Sequence, residues 1–338
     1  MVREHKSWIT RPGHHCNDSV SRARTLVYLL PVLVMDKNKL RFISVFILAA
    51  LLLATVVALR PSTDSGITKT LFWRHKLEAD AIHSIVAVGD SRVLHGIAPE
   101  LFADEGIEPG LNLGFRGAAL NEKLMKFAQS RLKEQGQRIL LVGVTPNSFT
   151  PNANQSNGFE QEQKNLSAAA FRFPGWLAKI VDQLQPSSLK EVKRIVAGKT
   201  KAKSECFHET GWIDTTHKSA NEKEALRFFE HRFDQNEADP ERVRQFHSMV
   251  KQFSDNGIVV ACFRPPVTKE MAQLEDQRSG FDYIEFRNNL KEAGGVWLDA
   301  SDSELVSYDG SHLDGESARK LSANLAAQIK QHLDDKLQ

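Results

Sequence analysis

Five short apolar runs, separated by segments with helical periodicity, constrain the fold of this chain more than any other feature. Runs of this length without a polar face are typical of strands buried on both sides of a parallel sheet. The runs are Ile85 to Val88, Leu111 to Leu113, Ile139 to Val144, Ile258 to Phe263 and Val296 to Leu298. Amphipathic helices are predicted at Leu120 to Leu132, Val243 to Phe253 and Leu321 to Leu333. This alternation predicts an α/β fold in which helices cover both faces of a parallel sheet.

The alternation is interrupted between about residues 150 and 240, where the sequence is rich in Asn, Gln, Lys and Ser. Isolated aromatic residues occur there, among them Phe171, Phe173, Trp176 and Trp212. A structureless loop of this length is uncommon inside a compact domain, so we predict a mostly helical insertion after the third strand. Such an insertion borders the ligand crevice at the carboxyl ends of the strands, and we predict that it caps the site. Deletion of about residues 155–235 is expected to leave a foldable core.

The basic run from Lys190 to Lys203 lies within this insertion. It predicts a solvated helix face, and contact with an acidic polymer is the alternative.

An uncharged apolar run, Phe42 to Leu59, stands near the N-terminus after Lys37, Lys39 and Arg41. At about 1.5 Å per residue it nearly spans a hydrocarbon core of about 30 Å. A cleaved signal peptide, with a weak site at Val56 and Ala58, is the alternative. The basic flank predicts that residues after Arg60 lie outside the cytoplasm. We therefore predict a single-pass protein of the cytoplasmic (inner) membrane with a periplasmic domain.

This reading divides the chain into a cytoplasmic tail at 1–41, a transmembrane anchor at 42–59, a linker at 60–82 and the main domain at 83–337. Residues 1–34 are interpreted as an upstream extension, because Met35 begins a natural start before the apolar run. His14, His15 and Cys16 in that extension fit a disordered tail better than a metal site.

Charge and cysteine content exclude several classes of function. The net charge of +2 gives no reason to expect a nucleic-acid partner. Three cysteines are too few for a disulfide framework, and no Cys-x-x-Cys spacing suggests zinc. We predict neither a metal nor a cofactor. Cys206 and Cys262 are a candidate disulfide if the domain is exported, although the sequence does not show whether they are close.

Two motifs carry residues suited to nucleophilic catalysis. In "VAVGDSRVLHG", Ser91 stands where the first predicted strand ends. Gly89 and Asp90 either simply turn the chain or present Ser91 for chemistry. In "SYDGSHLDGES", Asp309 and His312 are three residues apart, a spacing that lets a carboxylate orient an imidazole base toward a serine. The alternative is a local loop with Asp309 as a cap and His312 exposed.

Together, the Gly-Asp-Ser and Asp-x-x-His motifs resemble those of the SGNH (GDSL-like) hydrolases. The resemblance covers roughly residues 83 to 333, apart from the insertion. "GDSRVLHGIAP" and "FRPPVTKEM" are similar to a membrane-anchored branch found with bacterial surface-polysaccharide genes. The resemblance implies a flavodoxin-like three-layer sandwich, with Ser91 as nucleophile and Asp309 and His312 as the supporting pair.

The resemblance also implies an oxyanion hole formed by backbone and side-chain N–H donors. The N–H groups of Ser91 and Gly117 are expected to contribute, with Gly114 as the fallback for Gly117. The family places an asparagine after the third strand in a Gly-x-Asn-Asp block, which "LLVGVTPNSF" lacks. Asn147 stands slightly late and Thr145 occupies the nearer position. Loss of one donor typically costs about 100–1000-fold in rate, so slow activity is compatible with this departure.

Two further positions complete the predicted site. Arg92 replaces a small or aliphatic residue of the family and is predicted either to contact an anionic sugar or to pair with a surface acid. Asp314 is a candidate N-cap of the last helix.

We therefore predict a serine esterase that removes O-acyl groups, most simply acetyl, from a cell-surface glycan or exopolysaccharide through an acyl-serine intermediate. Envelope biosynthesis proteins are candidate partners. Two alternatives stay open: a glycan O-acyltransferase, and a non-catalytic binding module of an envelope assembly. A dinucleotide-binding function is excluded, because "GDSRVLHG" lacks Gly-x-Gly-x-x-Gly.

Overall fold

A computed structural model describes residues 37–58, 67, 69–172, 203–217, 222–301 and 304–336. The chain divides into two units, Met1–Ala54 and Thr55–Gln338. The apolar run near the N-terminus forms most of helix α1, Lys37–Ala58. In the described residues, no helix combines the length and apolarity needed to cross a membrane. The transmembrane anchor predicted at Phe42–Leu59 is therefore unsupported, and the location of the main domain stays a prediction.

The centre of the second unit is a parallel sheet. In chain order the strands are β1 (Ile85–Gly89), β2 (Gly110–Gly114), β3 (Ile139–Gly143), β4 (Lys203–Phe207), β5 (Ile213–His217), β6 (Val259–Phe263) and β7 (Val296–Trp297). Five of them form one parallel sheet in the order β2-β1-β3-β6-β7. Without the two strands of the insertion this is the flavodoxin-like order 2-1-3-4-5. The structure therefore confirms the predicted sheet.

Helices cover both faces of this sheet. After α1, the described helices are α2 (Lys69–Glu78), α3 (Ser91–Gly96), α4 (Glu122–Gln129), α5 (Pro151–Gln155), α6 (Gly158–Arg172), α7 (Glu222–Phe233), α8 (Pro240–Asp255), α9 (Lys269–Arg278), α10 (Tyr283–Glu292) and α11 (Gly315–Asp335), with 3-10 helices at Pro99–Glu105 and Pro146–Phe149. On one face, Val86 and its neighbours pack against α2, α4, α8 and α10. On the other face, Ile85 and its neighbours pack against α3 and α11. The alternation of buried side chains along each strand thus fills two cores and gives three layers.

The described part of the insertion has more helix than strand, in line with the prediction, but it also has a feature that was not predicted. This feature is an antiparallel hairpin, in which β4 pairs with β5. The residue before β5, Trp212, is completely buried, as is Ile213. Because these side chains belong to the packed interior, the expectation that residues 155–235 can be deleted without loss of the core is not supported. Phe173, Trp176 and the basic run up to residue 202 lie outside the described residues.

The structure describes two cysteines, and no disulfide joins them. Cys262 lies buried in β6, where burial raises the pKa of its thiol. Cys206 lies in the hairpin strand β4, opposite Asp214. The candidate disulfide between them is therefore not formed.

A buried lysine joins three distant segments of the second unit. Nζ of Lys76, in α2, donates hydrogen bonds to the carbonyl oxygens of Gly114 at 2.6 Å and Gly211 at 2.7 Å. Burial lowers the pKa of Lys76 well below its usual value. We call this arrangement the Lys76 clasp. It links α2, the end of β2 and the hairpin turn, so the predicted linker at 60–82 contains a helix that belongs to the core.

Candidate active site

Ser91 is the first residue of α3 and stands at the carboxyl edge of the sheet, two residues after β1 ends. Asp90 caps this helix: its Oδ1 accepts a hydrogen bond from the backbone N–H of Arg92 at 2.9 Å. Its Oδ2 accepts a hydrogen bond from the Thr145 hydroxyl at 2.8 Å. A Cβ on Gly114 would lie 2.3 Å from the backbone nitrogen of Leu94, so only glycine lets β2 approach α3 this closely. Asp90 therefore caps the turn that places Ser91 at the sheet edge, and Gly114 leaves room for α3 beside β2.

The structure brings Ser91, His312 and Asp309 together in one hydrogen-bonded line. Nε2 of His312 lies 2.8 Å from Oγ of Ser91, although the two residues are 221 positions apart. Nδ1 of His312 lies 2.8 Å from Oδ2 of Asp309. When Nδ1 carries the proton it donates to Asp309, and Nε2 accepts from the serine hydroxyl. This is the geometry of a nucleophile, a general base and an orienting carboxylate.

Backbone N–H groups fix the orientation of Asp309. Its Oδ1 accepts hydrogen bonds from the N–H groups of Ser311 at 2.9 Å and His312 at 2.8 Å. Burial alone raises the pKa of Asp309, but the hydrogen bonds from His312 and these N–H groups lower it to about 2. The carboxylate is therefore charged at neutral pH and favours the Nδ1–H tautomer of His312. The local loop capped by Asp309, which was the alternative interpretation, is therefore also present. That alternative expected an exposed His312, whereas the side chain of His312 is only 19% exposed.

The ring of Tyr308 stacks on His312 with a centroid distance of 5.8 Å. The ring of His95 lies 5.4 Å from that of His312 and 6.5 Å from that of Tyr308, and its Nδ1 is 3.0 Å from the Thr215 hydroxyl. Neither Tyr308 nor His95 was singled out by a motif in the sequence. Both restrict the position of the imidazole.

The predicted oxyanion donors differ in where the structure places them. Thr145 is completely buried, and its hydroxyl is engaged with Asp90 and with Ser148 Oγ at 2.9 Å. Asn147 lies in the short 3-10 helix after β3 and lines the cleft that contains Ser91. Its Oδ1 accepts a hydrogen bond from Nε of Arg232. Asn147 is therefore the better placed of the two residues, with Nδ2 as its remaining donor.

The structure also distinguishes between Gly117 and Gly114, the two candidate glycine donors. Gly117 has a φ of +61° and lines the cleft together with Ser91. The fallback, Gly114, instead ends β2 under α3, and its carbonyl accepts from the Lys76 clasp. The cleft therefore contains Ser91, Gly117 and Asn147, but not Gly114 or Thr145.

The cleft has a volume of about 900 Å³, within the range of small-molecule sites. The sheet edge supplies the Ser91–His312–Asp309 line, and α7 of the insertion supplies the opposing residues Glu224, Ala225, Phe228, Phe229 and Arg232. Phe228 is 57% exposed in this wall. The sequence indicated an insertion near the site, but nothing in it indicated that Phe228 and Arg232 face the serine.

Arg92 does not line the cleft, and the prediction of a substrate contact is wrong for a physical reason. Its side chain is 2% exposed, and its Nη2 lies 2.6 Å from Oε1 of Glu275, which is itself completely buried. Its Nε donates to the Ser311 hydroxyl at 3.2 Å. The predicted pairing with an acid is therefore present, although the acid is buried rather than on the surface. The hydrogen bond from Arg92, the residue after Ser91, to Ser311, the residue before His312, thereby links the two segments.

The predicted N-cap of the last helix is confirmed. Asp314 precedes α11, and its Oδ1 accepts a hydrogen bond from the N–H of Ser317 at 2.8 Å. This cap fixes where α11 begins, three residues after His312.

No protein-family model matches the sequence, and no curated protein matches it. Several solved structures share a distant likeness. A carbohydrate acetylesterase family member from Sinorhizobium meliloti has 11% identity and a TM-score of 0.36, covering 75% of this chain and 100% of that chain. An aryl esterase from M. smegmatis, in an inhibitor-bound form, has 11% identity and a TM-score of 0.29, covering 74% and 99%.

A family two carbohydrate esterase from Clostridium thermocellum has 9% identity and a TM-score of 0.34, covering 75% of this chain and 65% of that chain. At these values the likeness carries no conclusion about what this chain does. The strand order and the site geometry define its class instead. It is an α/β protein with a flavodoxin-like sheet that carries a Ser-His-Asp constellation at the carboxyl edge.

Proposed function

We propose that this chain is a serine esterase of the SGNH type that hydrolyses an acyl ester through an acyl-Ser91 intermediate. The observation that carries the proposal is the line of two 2.8 Å contacts from Asp309 through His312 to Ser91. A hydroxyl is a weak nucleophile unless a base within hydrogen-bond reach accepts its proton. The line opens into a cleft large enough for a substrate.

In the acylation half-reaction, Oγ of Ser91 forms a bond to the ester carbonyl carbon as its proton passes to Nε2 of His312. The carbonyl oxygen becomes the oxyanion of a tetrahedral intermediate. The bond between carbon and the alcohol oxygen then breaks, and the leaving alcohol takes the proton from Nε2. Asp309 stabilises the transient imidazolium without itself taking a proton. The products are the free alcohol and acyl-Ser91.

In the deacylation half-reaction, water takes the place of the alcohol. Nε2 of His312 accepts a proton from the water as its oxygen bonds to the acyl carbon. Collapse of the second tetrahedral intermediate returns the proton to Oγ of Ser91 and releases the carboxylic acid. The site is restored with no net change in its protonation.

The oxyanion hole in this proposal consists of the N–H groups of Ser91 and Gly117 and Nδ2 of Asn147. All three residues line the same cleft as His312. Preorganised donors of this kind stabilise charge that develops only in the transition state, so they raise kcat rather than substrate affinity.

The substrate that we propose is an O-acetylated carbohydrate, in particular a surface glycan, as the sequence resemblance implies. The cleft supports this proposal in two ways. Its volume exceeds the needs of an acetyl group alone, and Phe228 offers an exposed aromatic face beside polar side chains. Sugar rings present both an apolar face and hydroxyl groups, so a mixed wall of this kind suits them.

An active-serine phosphonate probe tests nucleophile identity and competence together. The wild-type protein, Ser91→Ala and a control, Ser130→Ala, are treated with the probe, digested and examined by mass spectrometry. Ser130 is exposed at the end of α4 and far from the chemistry, so its loss is expected to leave labelling unchanged. We expect one adduct, on the peptide that contains Ser91, and none in Ser91→Ala.

The same proteins are assayed for release of acetate from an activated acetyl ester and from an acetylated oligosaccharide. Acetate release that depends on Ser91 supports the esterase. Labelling of Ser91 accompanied by acetyl transfer to an added glycan, without acetate release, would identify an acyltransferase. A folded wild-type protein with neither adduct nor activity would overturn the proposal in favour of a binding module.

A further inference from the structure

The insertion places one cationic side chain beside the proposed oxyanion hole. Arg232, near the end of α7, is half-buried and lines the cleft with Ser91. Its Nε donates a hydrogen bond to Oδ1 of Asn147. Its Nη2 reaches toward Gly117, since an ideal Cβ there would lie 3.6 Å from that atom. Arg232 therefore lies next to two of the three proposed oxyanion donors.

The chemistry of arginine makes this contact directional. A guanidinium has five N–H donors and no acceptor, whereas the asparagine amide has an acceptor end and a donor end of nearly equal shape. Only Oδ1 of Asn147 can therefore accept a bond from Arg232. With Oδ1 held in this way, Nδ2 is the end left to donate elsewhere. The opposite orientation would direct oxygen lone pairs at the developing oxyanion and lose the bond to Arg232.

Asn147 needs an external partner because of where it lies. It follows β3 in a short 3-10 helix, Pro146–Phe149, later than the asparagine of the family block. The nearer position is Thr145, whose hydroxyl is already engaged with Asp90. The amide of Asn147 is consequently not oriented by the strand end itself.

Arg232 is in turn anchored through the backbone of its own helix. Nδ2 of Asn236 donates to the carbonyl oxygen of Arg232 at 2.9 Å, and Oδ1 of Asn236 accepts from the N–H of Asn152 at 3.1 Å. Asn236 is buried. These bonds connect the end of α7 to α5, so the backbone that carries Arg232 is held in position.

We propose that Arg232 is a positioning residue that holds the Asn147 amide with Nδ2 directed at the oxyanion. The inference rests on the proposed esterase function and assigns the insertion a part in turnover as well as in substrate binding. It also explains how a chain without the Gly-x-Asn-Asp block retains an oriented amide, since a side chain from a distant helix replaces the missing local support.

Steady-state kinetics on an acetyl ester test this role with Arg232→Ala, Arg232→Lys, Asn147→Ala and the double variant Arg232→Ala/Asn147→Ala. Loss of an oxyanion donor costs about 100–1000-fold in rate, so loosening that donor is expected to lower kcat by about 10–100-fold with little change in KM. Because Arg232 acts through Asn147, the double variant should be no more than about threefold slower than Asn147→Ala. Arg227→Ala, which removes the same charge from an exposed position of α7, should retain wild-type kinetics.

Charge and position are separated by the lysine variant. Lysine retains the positive charge but lacks the planar fork that contacts Oδ1, so Arg232→Lys should remain slow. Added ethylguanidinium should partly restore kcat in Arg232→Ala but not in Asn147→Ala. Wild-type kcat in Arg232→Lys, multiplicative losses in the double variant, or a change in KM alone would each overturn the positioning role.

A spectroscopic readout keeps the inference separate from the proposed function. The side-chain amide resonances of Asn147 are identified by their loss in the ¹⁵N correlation spectrum of Asn147→Ala. We expect them to shift in Arg232→Ala and to stay in place in Arg227→Ala, whether or not the protein hydrolyses esters. Unchanged Asn147 resonances in a folded Arg232→Ala protein would show that the side chain does not hold the amide, and activity of the wild type is judged independently.

Discussion

The sheet edge and the insertion face each other across one cleft, but they hold their residues by different means. At the sheet edge, Ser91 follows a buried strand and Asp309 is fixed by backbone N–H groups, so short connections set the geometry. On the opposite wall, Phe228 and Arg232 project long side chains from α7. The edge therefore provides fixed reacting groups, whereas the wall provides shape and one orienting contact.

A second contrast lies within the insertion itself. Trp212, the residue before β5, is completely buried. Its ring centroid lies 4.6 Å from that of His208 and 5.1 Å from the guanidinium carbon of Arg319. Phe228 of α7 is 57% exposed. One part of the insertion therefore supports the fold while another lines the site, and point substitutions separate the two better than a deletion.

The largest expected effect is loss of the reacting groups. Ser91→Ala and His312→Ala should each lower kcat for an acetyl ester by on the order of 10⁴–10⁶-fold, because either change removes the activated nucleophile. The double variant should be little slower than either single one, since the two residues act as a unit. Losses that multiply in the double variant, measured by steady-state kinetics, would contradict a shared mechanism.

Trp212→Ala should be the most damaging of the insertion changes to stability. Truncation of a fully buried Trp to Ala typically costs about 3–5 kcal/mol, because it removes buried apolar surface and leaves a cavity. Urea unfolding monitored by circular dichroism measures the change. A loss below about 1 kcal/mol would show that the hairpin is an appendage, and would restore the expectation that the insertion is dispensable for folding.

The third effect concerns pH and tests the sheet edge. The pKa of Asp309 in the folded protein is about 2, below the unfolded value of about 3.9. Ionisation of Asp309 therefore stabilises the fold above pH 4, by up to about 2 kcal/mol, and that contribution is lost as the pH falls toward 2. The difference in unfolding free energy between wild type and Asp309→Asn should accordingly shrink from pH 7 to pH 3. A constant difference would mean that the carboxylate charge is not what the site stabilises.

Phe228→Ala should have the smallest effect on stability, within about 0.5 kcal/mol, because the side chain is largely exposed. We expect a higher KM for an acetylated oligosaccharide and unchanged kinetics for a small activated ester that does not reach the wall. Equal effects on both substrates would indicate that α7 does not contribute to selectivity.

The parts of the molecule that the sequence predicted are those with a strong local pattern. Ile139–Gly143 is a continuous apolar run, so its burial in a central strand followed directly. Lys269–Arg278 has no apolar stripe, since only Met271 and Glu275 are buried, and this helix was not predicted. The hairpin was missed because its strands lie within a polar segment that was read as helical.

The same contrast between local patterns and long-range contacts applies to the residues of the site. Ser91, Asp309 and His312 belong to short motifs whose spacing carries chemical meaning. Pairing with an acid was one of the two alternatives for Arg92, but its partner, Glu275, is 183 residues away and the burial of both depends on the packed fold, so the sequence did not decide between them. Nothing in the sequence indicated a role for Arg232, because its contact with Asn147 exists only once the fold has placed α7 along the cleft.

The Lys76 clasp also has a consequence for the order in which parts of the protein fold. It joins residues 135 positions apart in sequence, so it forms only after a long loop has closed, a step that comes late when local pairings form quickly. The pairings of β1 with β2 and with β3 join residues only 25 and 54 positions apart, so they are expected to form first, with the hairpin docking on the end of β2 afterwards. During refolding from urea, recovery of esterase activity should consequently lag behind recovery of helical circular dichroism. Lys76→Met should lengthen that lag, and simultaneous recovery of both signals in the wild type would show that the clasp closes with the sheet.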